Sequence, residues 1–341
     1  MRVLKYHTGD TADQQQKTLQ QLQDGHYDIL HIYGCWKNLA WRMARLALKR
    51  GTRLVVSPQG QLEPWVIDED YWKDKLAKKL LYQRWIVGNA YAVIVQGKME
   101  EEALKRLGWN PRLVIIRNPL ITHSITHQEA ARQLEHVYRM VMDSDQLELM
   151  KDETRRMLHL FIKAGITGDS RWIEDDLTTL DKEEWRKILC YAHQERITDT
   201  VLHGARVLNF EAPDLDASQI GCFLPPSYEE PTTIEQTIGS SFVSENQRLL
   251  ATFRLMKKLW QRKQIAISHL VELDKELRFH TCNEQLLYED LQERGLLKLA
   301  ARLMQLMGDL TGLTEGFMPV EPLNDRVTRQ MRKQIDNRLT I

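Results

Sequence analysis

Residues 28–36 read Asp-Ile-Leu-His-Ile-Tyr-Gly-Cys-Trp, and residues 53–65 read Arg-Leu-Val-Val-Ser-Pro-Gln-Gly-Gln-Leu-Glu-Pro-Trp. Each stretch opens with a short run of apolar residues and closes on a turn that contains glycine. Continuous apolar runs of this length are typical of strands that are buried on both faces, as in a parallel sheet. We therefore predict two strands of one sheet, each with polar and aromatic side chains at its carboxyl end.

Further runs of the same kind precede and follow these two, with helical stretches between them. We predict five strands, at residues 2–5, 28–33, 53–57, 91–95 and 113–116. Apolar side chains at the three- and four-residue spacing of crossover helices occur at residues 13–23, 39–49, 73–87 and 98–107. This alternation predicts an α/β fold with a Rossmann-like parallel sheet over residues 1–122.

The rest of the chain has a different character. After Thr122 the strand-like runs disappear, and long amphipathic stretches follow one another. We predict a helical region at residues 123–208, a loop or linker rich in proline, serine and threonine at 209–244, and a helical domain at 245–341. The expected architecture is a Rossmann-like sheet followed by an all-α C-terminal region.

The amino-acid composition limits which partners we expect the protein to have. Basic and acidic residues number 47 each, so the net charge is zero and no field of the whole molecule attracts nucleic acid. No run is long and apolar enough for a membrane span or a signal peptide, so we expect a cytoplasmic protein whose membrane contact is at most peripheral. The four cysteines are scattered and no metal-ligand spacing stands out. We therefore expect no metal and no cofactor.

The order of the motifs resembles the N-terminal half of family 4 glycosyltransferases, which have the GT-B fold. In that family a strand ends in a His-Gly turn, and a second ends Ser-Pro-His-Gly before Pro-Trp. A Lys-rich helix, an Ala-Asp-x-Ile strand, a Glu-rich helix and a strand closing on Asn-Gly or Asn-Pro follow. This chain has counterparts in the same order at residues 28–36, 57–65, 73–84, 90–95, 99–102 and 114–119. The resemblance spans residues 28–122.

Two departures from the family matter. Gln59 stands where the family usually has a histidine that lies near the transferred sugar, and an amide cannot titrate near neutral pH. The family's second α/β domain holds the diphosphate with basic residues and contacts the donor with two carboxylates. Glu276 and Glu284 have the right separation, but no strand or glycine-rich turn precedes them. The donor half of the family is therefore not recognisable.

The candidate site lies at the strand ends. We predict Glu63 and Gln59 as catalytic residues, with Glu63 as the titratable group that either positions the acceptor or acts as a base. Two alternatives stay open: His31 either touches a ligand or is a hydrogen-bonded core group, and the two tryptophans either stack on a sugar or close an apolar lid. The predicted substrate-binding residues are His31, Gly34, Trp36, Gly60, Trp65 and Asn118.

The resemblance implies transfer of a sugar, as by a hexosyltransferase, from a nucleotide donor to a glycan or lipid-linked acceptor in surface-polysaccharide assembly. The rival interpretation is a non-catalytic interaction protein. In that case a degenerate glycosyltransferase domain is joined to a helical module that docks onto a protein partner. Absence of a recognisable donor half favours the rival, whereas the retained strand-end motifs favour the enzyme.

Overall fold

The computed structural model describes residues 1–35, 37–61, 82–119, 125–144, 150–171, 177–214, 221–225, 227–279 and 281–339. The chain folds as two compact units, Met1–Met142 and Asp143–Ile341. The domain boundaries expected at residues 122, 208 and 244 remain predictions. No helix within the described ranges is both long and apolar enough to cross a lipid bilayer.

The first unit contains a five-stranded parallel sheet, which confirms the α/β class. Its strands lie side by side in the order in which they occur along the chain. Register pairs such as Leu30 with Leu54 bring the carboxyl ends of the strands to one edge of the sheet. The strands are β1 Val3–His7, β2 Ile29–Tyr33, β3 Arg53–Ser57, β4 Ala92–Val95 and β5 Leu113–Ile115.

One face of the sheet is covered by the connecting helices. Each crossover steps to the next strand in the same direction, so right-handed connections place all of these helices on the same face. Alternate strand residues such as Ile32 and Val56 join Met43 and Ile86 of the helices in one buried cluster. The helices are α1 Ala12–Asp24, α2 Asn38–Lys49, α3 Arg84–Gly88 and α4 Lys98–Leu107. Of the helix predicted at 73–87, residues 73–81 lie outside the described residues.

The opposite face of the sheet is polar near its carboxyl edge. Helix α5, His127–Asp143, lies against it. The Tyr138 hydroxyl is 2.6 Å from Nδ1 of His31, and the Arg53 guanidinium donates to the carbonyl of Val141. Because the described strands follow one another in sequence order, this sheet has no reversal of strand order at which a crevice would open. The space between α5 and the strand ends forms the crevice instead.

The second unit contains helices and connecting segments, with no strand among its described residues, which confirms the all-α expectation. The described residues of the predicted loop at 209–244 include a short helix, Ile234–Ile238. In chain order the helices are α6 Asp152–Thr167, α7 Lys182–Gln194, α8 Thr198–Val207, α9 Ile234–Ile238, α10 Glu245–Arg262, α11 Ile267–Phe279, α12 Glu284–Glu293, α13 Leu297–Leu310 and α14 Arg326–Asp336.

Helices α6 and α8 cross in direct backbone contact. A Cβ atom added to Gly204 would lie 1.8 Å from the carbonyl oxygen of Phe161, and one added to Gly165 would lie 1.9 Å from that of Thr200. Only glycine leaves room for this approach. The close crossing packs Phe161 of α6 and Val201 of α8 into the buried core of the unit.

Candidate functional site

The turns after β2 and β3 are hydrogen bonded to each other. The Gly34 N–H donates to the carbonyl of Ser57 over 2.8 Å, and the Cys35 N–H donates to Oε1 of Gln61 over 2.9 Å. Gly34 has a φ of 86°, and an added Cβ would lie 2.1 Å from Oγ1 of Thr8. Glycine is therefore required at residue 34, and the two turns named by the sequence lie together at one edge of the sheet.

A buried carboxylate fixes the loops after β3 and β4. Glu100, in the first turn of α4, is 1% exposed. Its Oε1 accepts from the Gly60 N–H over 2.8 Å, and its Oε2 accepts from the Gln96 N–H over 3.0 Å. Two loops are thereby tied to one helix end. The backbone N–H of Gly60 is thus occupied within the protein.

Gln59 projects from the β3 loop with an unusual backbone. Its φ is 58°, in the left-handed region, and its side chain is exposed. A non-glycine residue in this conformation costs roughly 1 to 2 kcal/mol. The turn around Pro58 and Gly60 holds Gln59 in place despite this cost. The result is an amide that is presented at the edge of the sheet.

His31 is a buried, neutral imidazole. It is 1% exposed, with Nδ1 2.6 Å from the Tyr138 hydroxyl and Nε2 2.8 Å from Oγ of Ser57. Burial, together with the nearby charges of Lys5 and His7, lowers its pKa to about 3. In a neutral imidazole one nitrogen donates and the other accepts, so the two hydroxyls play opposite hydrogen-bonding roles. His31 is therefore a fixed hydrogen-bonding group and not a base at neutral pH.

Stacked aromatic rings continue from His31 toward β1. The ring of Tyr33 lies 4.0 Å from that of His31 on one side and 4.2 Å from that of His7 on the other. Burial raises the pKa of Tyr33, so its hydroxyl stays protonated at neutral pH. The stack gives this part of the sheet a rigid aromatic wall.

These groups border a cavity of about 280 Å³ at the carboxyl ends of β2 to β5, closed on one side by α5. We call it the edge cavity. Its apolar side comes from Ile94 and from Ala130 and Leu134 of α5. Within the described residues its lining holds no carboxylate, and Arg117 supplies a positive charge. The hydrogen-bonding groups of the lining belong to His31, Tyr33, Ser57, Gln59, Gln96, Arg117 and Asn118.

The edge cavity contains three of the predicted site residues, His31, Gln59 and Asn118. Gly34 and Gly60 lie in the adjoining turns with positive φ angles. The structure also gives a place to residues that sequence reasoning did not select. Ser57 and Glu100 stood in the quoted motifs without a role, whereas Tyr138 lies 107 residues from His31 and had no local signal. Of the predicted residues, Trp36, Glu63 and Trp65 lie outside the described residues.

The edge cavity and its turns belong to one recognisable segment of chain. Residues 10–119 match the glycosyl transferase 4-like domain. The match confirms that this N-terminal segment resembles family 4 glycosyltransferases. The matched segment of the glycosyltransferase-like domain includes β2 to β5, both turns and Asn118. No curated protein and no solved structure matches the chain.

Proposed function

We propose that the protein transfers a sugar from a nucleotide donor to a glycan or lipid-linked acceptor in surface-polysaccharide assembly, with the edge cavity as its sugar site. The observation that carries this proposal is the lining of the cavity. Amide and hydroxyl groups of Ser57, Gln59 and Asn118 surround about 280 Å³ within the glycosyltransferase-like domain. Groups that both donate and accept hydrogen bonds suit the hydroxyls of a sugar.

The proposed roles follow from position. Gln59 and Asn118 contact sugar hydroxyls. His31 orients the Ser57 hydroxyl, whose Oγ lies 2.8 Å from Nε2 of His31. Arg117 lies in the same lining, where a guanidinium suits a phosphate group of the donor. The turns at Gly34 and Gly60 keep these side chains at one edge.

Three residues outside the described ranges complete the proposal. Trp36 and Trp65 follow the turns after β2 and β3 in sequence, and we assign their rings to stacking on a sugar. Glu63 is the titratable group, and its carboxylate either positions the acceptor hydroxyl or removes its proton. This role is needed because neutral His31 leaves the described lining without a base at neutral pH.

The test measures turnover of a panel of nucleotide sugars, detected as release of the nucleoside diphosphate. We expect one donor to be consumed, and Gln59→Ala to reduce its turnover by at least about tenfold through loss of a sugar contact. Gln20→Ala is the matched control, since Gln20 is an exposed amide on α1 outside the cavity lining. Equal activity of Gln59→Ala and Gln20→Ala would remove Gln59 from the site.

The second candidate function is a non-catalytic interaction protein. It is favoured by the second unit, whose described residues form helices and no second parallel sheet that would hold a nucleotide. In this case the helical half docks onto a protein partner, and the glycosyltransferase-like domain is a degenerate sugar-binding domain. Absence of turnover by the unmodified protein across the whole donor panel would favour this function over transfer.

A cytoplasmic location is part of the same proposal. All four cysteines, at residues 35, 190, 222 and 282, carry free thiols. Free thiols are the usual state in a reducing compartment. Contact with a lipid-linked acceptor would then be peripheral, at the membrane surface.

A further inference from the structure

A second cavity lies wholly within the helical unit and has a different chemistry. Its volume is about 710 Å³, and it opens along the polar side of α14 between that helix, α6 and α13. We call it the cationic cavity. Its charged lining residues are Arg155, Asp309, Arg329, Arg332, Lys333 and Asp336.

The lining carries a surplus of positive charge. Four cations against two carboxylates leave a net charge of two. Arg332 is the partner of both carboxylates, at 3.0 Å from Asp336 and 3.8 Å from Asp309. Neither of these two ion pairs involves Arg329 or Lys333.

Two of the remaining cations stand on the same side of α14. Arg329 and Lys333 are four residues apart, which places their side chains one helical turn from each other. Both are exposed to solvent, so an anion entering the cavity can reach them without rearrangement of the core. A pair of cations at this spacing, with Arg155 contributed by a second helix, matches two adjacent phosphate groups better than a single one.

A half-buried histidine near the cavity is affected by this charge. His159 lies one turn after Arg155 on α6, and its pKa is lowered to about 4 by burial and then by Arg332 and Arg155. The imidazole therefore stays neutral at physiological pH. A positive local potential is the condition under which an anionic ligand gains from entering a cavity.

From this arrangement we infer that the cationic cavity binds the diphosphate group of an organic diphosphate ester. Two sources have this chemistry: a nucleoside diphosphate, as in a sugar donor, and an isoprenyl diphosphate, as in a lipid carrier. Binding is a property of the second unit alone, so it is measured without sugar transfer and stands or falls separately from the proposed function.

The experiment is titration calorimetry of the full-length protein at physiological ionic strength, where distant exposed charges are screened. The probes are inorganic pyrophosphate, orthophosphate, uridine diphosphate and geranyl diphosphate. The test variant is the double substitution Arg329→Gln and Lys333→Gln. The control is Arg326→Gln with Lys298→Gln, which removes two exposed cations outside the cavity lining, one from α14 and one from α13.

We expect pyrophosphate to bind more tightly than orthophosphate. The test variant should weaken pyrophosphate binding at least about tenfold, because two charge-assisted contacts are lost. The control variant should stay within about twofold, since distant exposed charges are screened. The ester that binds at least as tightly as pyrophosphate identifies the natural ligand: uridine diphosphate indicates a nucleoside diphosphate, and geranyl diphosphate indicates an isoprenyl diphosphate.

Three results would overturn the inference. The first is absence of pyrophosphate binding by the unmodified protein, and the second is equal weakening by both double variants, which would indicate unspecific charge attraction. The third is a failure of both esters to bind within tenfold of inorganic pyrophosphate. Circular dichroism of the two double variants checks that both retain the helical fold.

Discussion

His31 lines the edge cavity, and its burial in the fold keeps the imidazole neutral. Both ring nitrogens face hydroxyls, those of Tyr138 and Ser57, and the ring is sealed from water. Protonation would place a charge in this buried site and force one of the hydroxyls to change its role. The ring therefore contributes orientation to the site, and any base in the proposed reaction has to come from elsewhere.

The pKa of His31 predicts how the stability of the first unit depends on pH. Its pKa is lowered from 6.5 to about 3 in the folded protein. Between these values the unfolded chain binds a proton that the folded chain does not, so the free energy of unfolding falls as the pH is lowered. From pH 6.5 to 4.5 the loss due to this one group should be about 2 to 3 kcal/mol.

The measurement compares urea unfolding of the unmodified protein with that of His31→Gln at both pH values. Glutamine does not titrate, so the variant should lose less stability on acidification by that amount. His26→Gln is the control, because His26 is exposed. An identical pH dependence for His31→Gln and the unmodified protein would contradict the buried, neutral state of His31.

The sequence predicts where strand-end residues lie, while their function stays a prediction. His31, Gln59 and Asn118 were selected because polar groups after buried strands meet at one edge, and all three line the edge cavity. Tyr138 could not be selected in this way. Its contact with His31 joins a helix to a strand 107 residues earlier, and nothing in the helix distinguishes that tyrosine from a core residue.

Among the elements, the sheet was predictable because its signals are local. Each strand is a short apolar run with a turn at its end, and all five predicted strands are present within one or two residues of the expected limits. The signals that end helices are local as well. Gly108, directly after α4, has a φ of 61° and donates its N–H to the carbonyl of Leu104, as a glycine that ends a helix does.

Because α6 and α8 cross closely, we expect one added methyl group at the crossing to lower the stability of the helical unit. In Gly204→Ala the new Cβ would lie 1.8 Å from the carbonyl oxygen of Phe161, so the helices must separate. Overpacking of this kind costs about 1 to 3 kcal/mol. For a unit of this size we expect a fall in Tm of roughly 3 to 10 °C, measured by calorimetry.

Gly308→Ala is the matched control for this substitution. Gly308 is also inside a helix, α13, but its added Cβ would meet nothing nearer than Cε of Met318 at 3.5 Å. Alanine favours the helix over glycine by about 1 kcal/mol, so this variant should be neutral or slightly more stable. Equal Tm values for the two variants would show that the backbones of α6 and α8 do not touch.

At the scale of the whole molecule, two separate buried clusters predict two unfolding transitions. One cluster contains Ile32 and Val56 of the sheet, and the other contains Phe161 and Val201 of the helices. Differential scanning calorimetry of the full chain should resolve two components. Gly204→Ala should lower only the component of the helical unit.

Gly34→Ala tests the other unit. At a φ of 86° and with Oγ1 of Thr8 2.1 Å from the added Cβ, alanine is strained, so it should lower only the component of the sheet. A single transition that both variants shift equally would mean that the two units unfold together.

The architecture of the whole chain was predictable only in outline. The change from strands to helices after Thr122 is visible in the apolar spacing, and the structure agrees. The path of α5 was not predictable, because its packing against the polar face of the sheet depends on contacts such as Arg53 with Val141 that are distant in sequence. Likewise, the cationic cavity joins Arg155 to residues of α14 that lie more than 170 positions later.

The glycine crossing between α6 and α8 also constrains how this protein can change over generations. What blocks a side chain at residue 204 is the main-chain carbonyl of Phe161, and at residue 165 it is that of Thr200. Every amino acid carries such a carbonyl, so no exchange of a neighbouring side chain can suppress a substitution at either glycine. The two glycines also face each other, since a Cβ added to Gly204 would lie 2.7 Å from the backbone nitrogen of Gly165, so selection keeps glycine at both positions of one crossing.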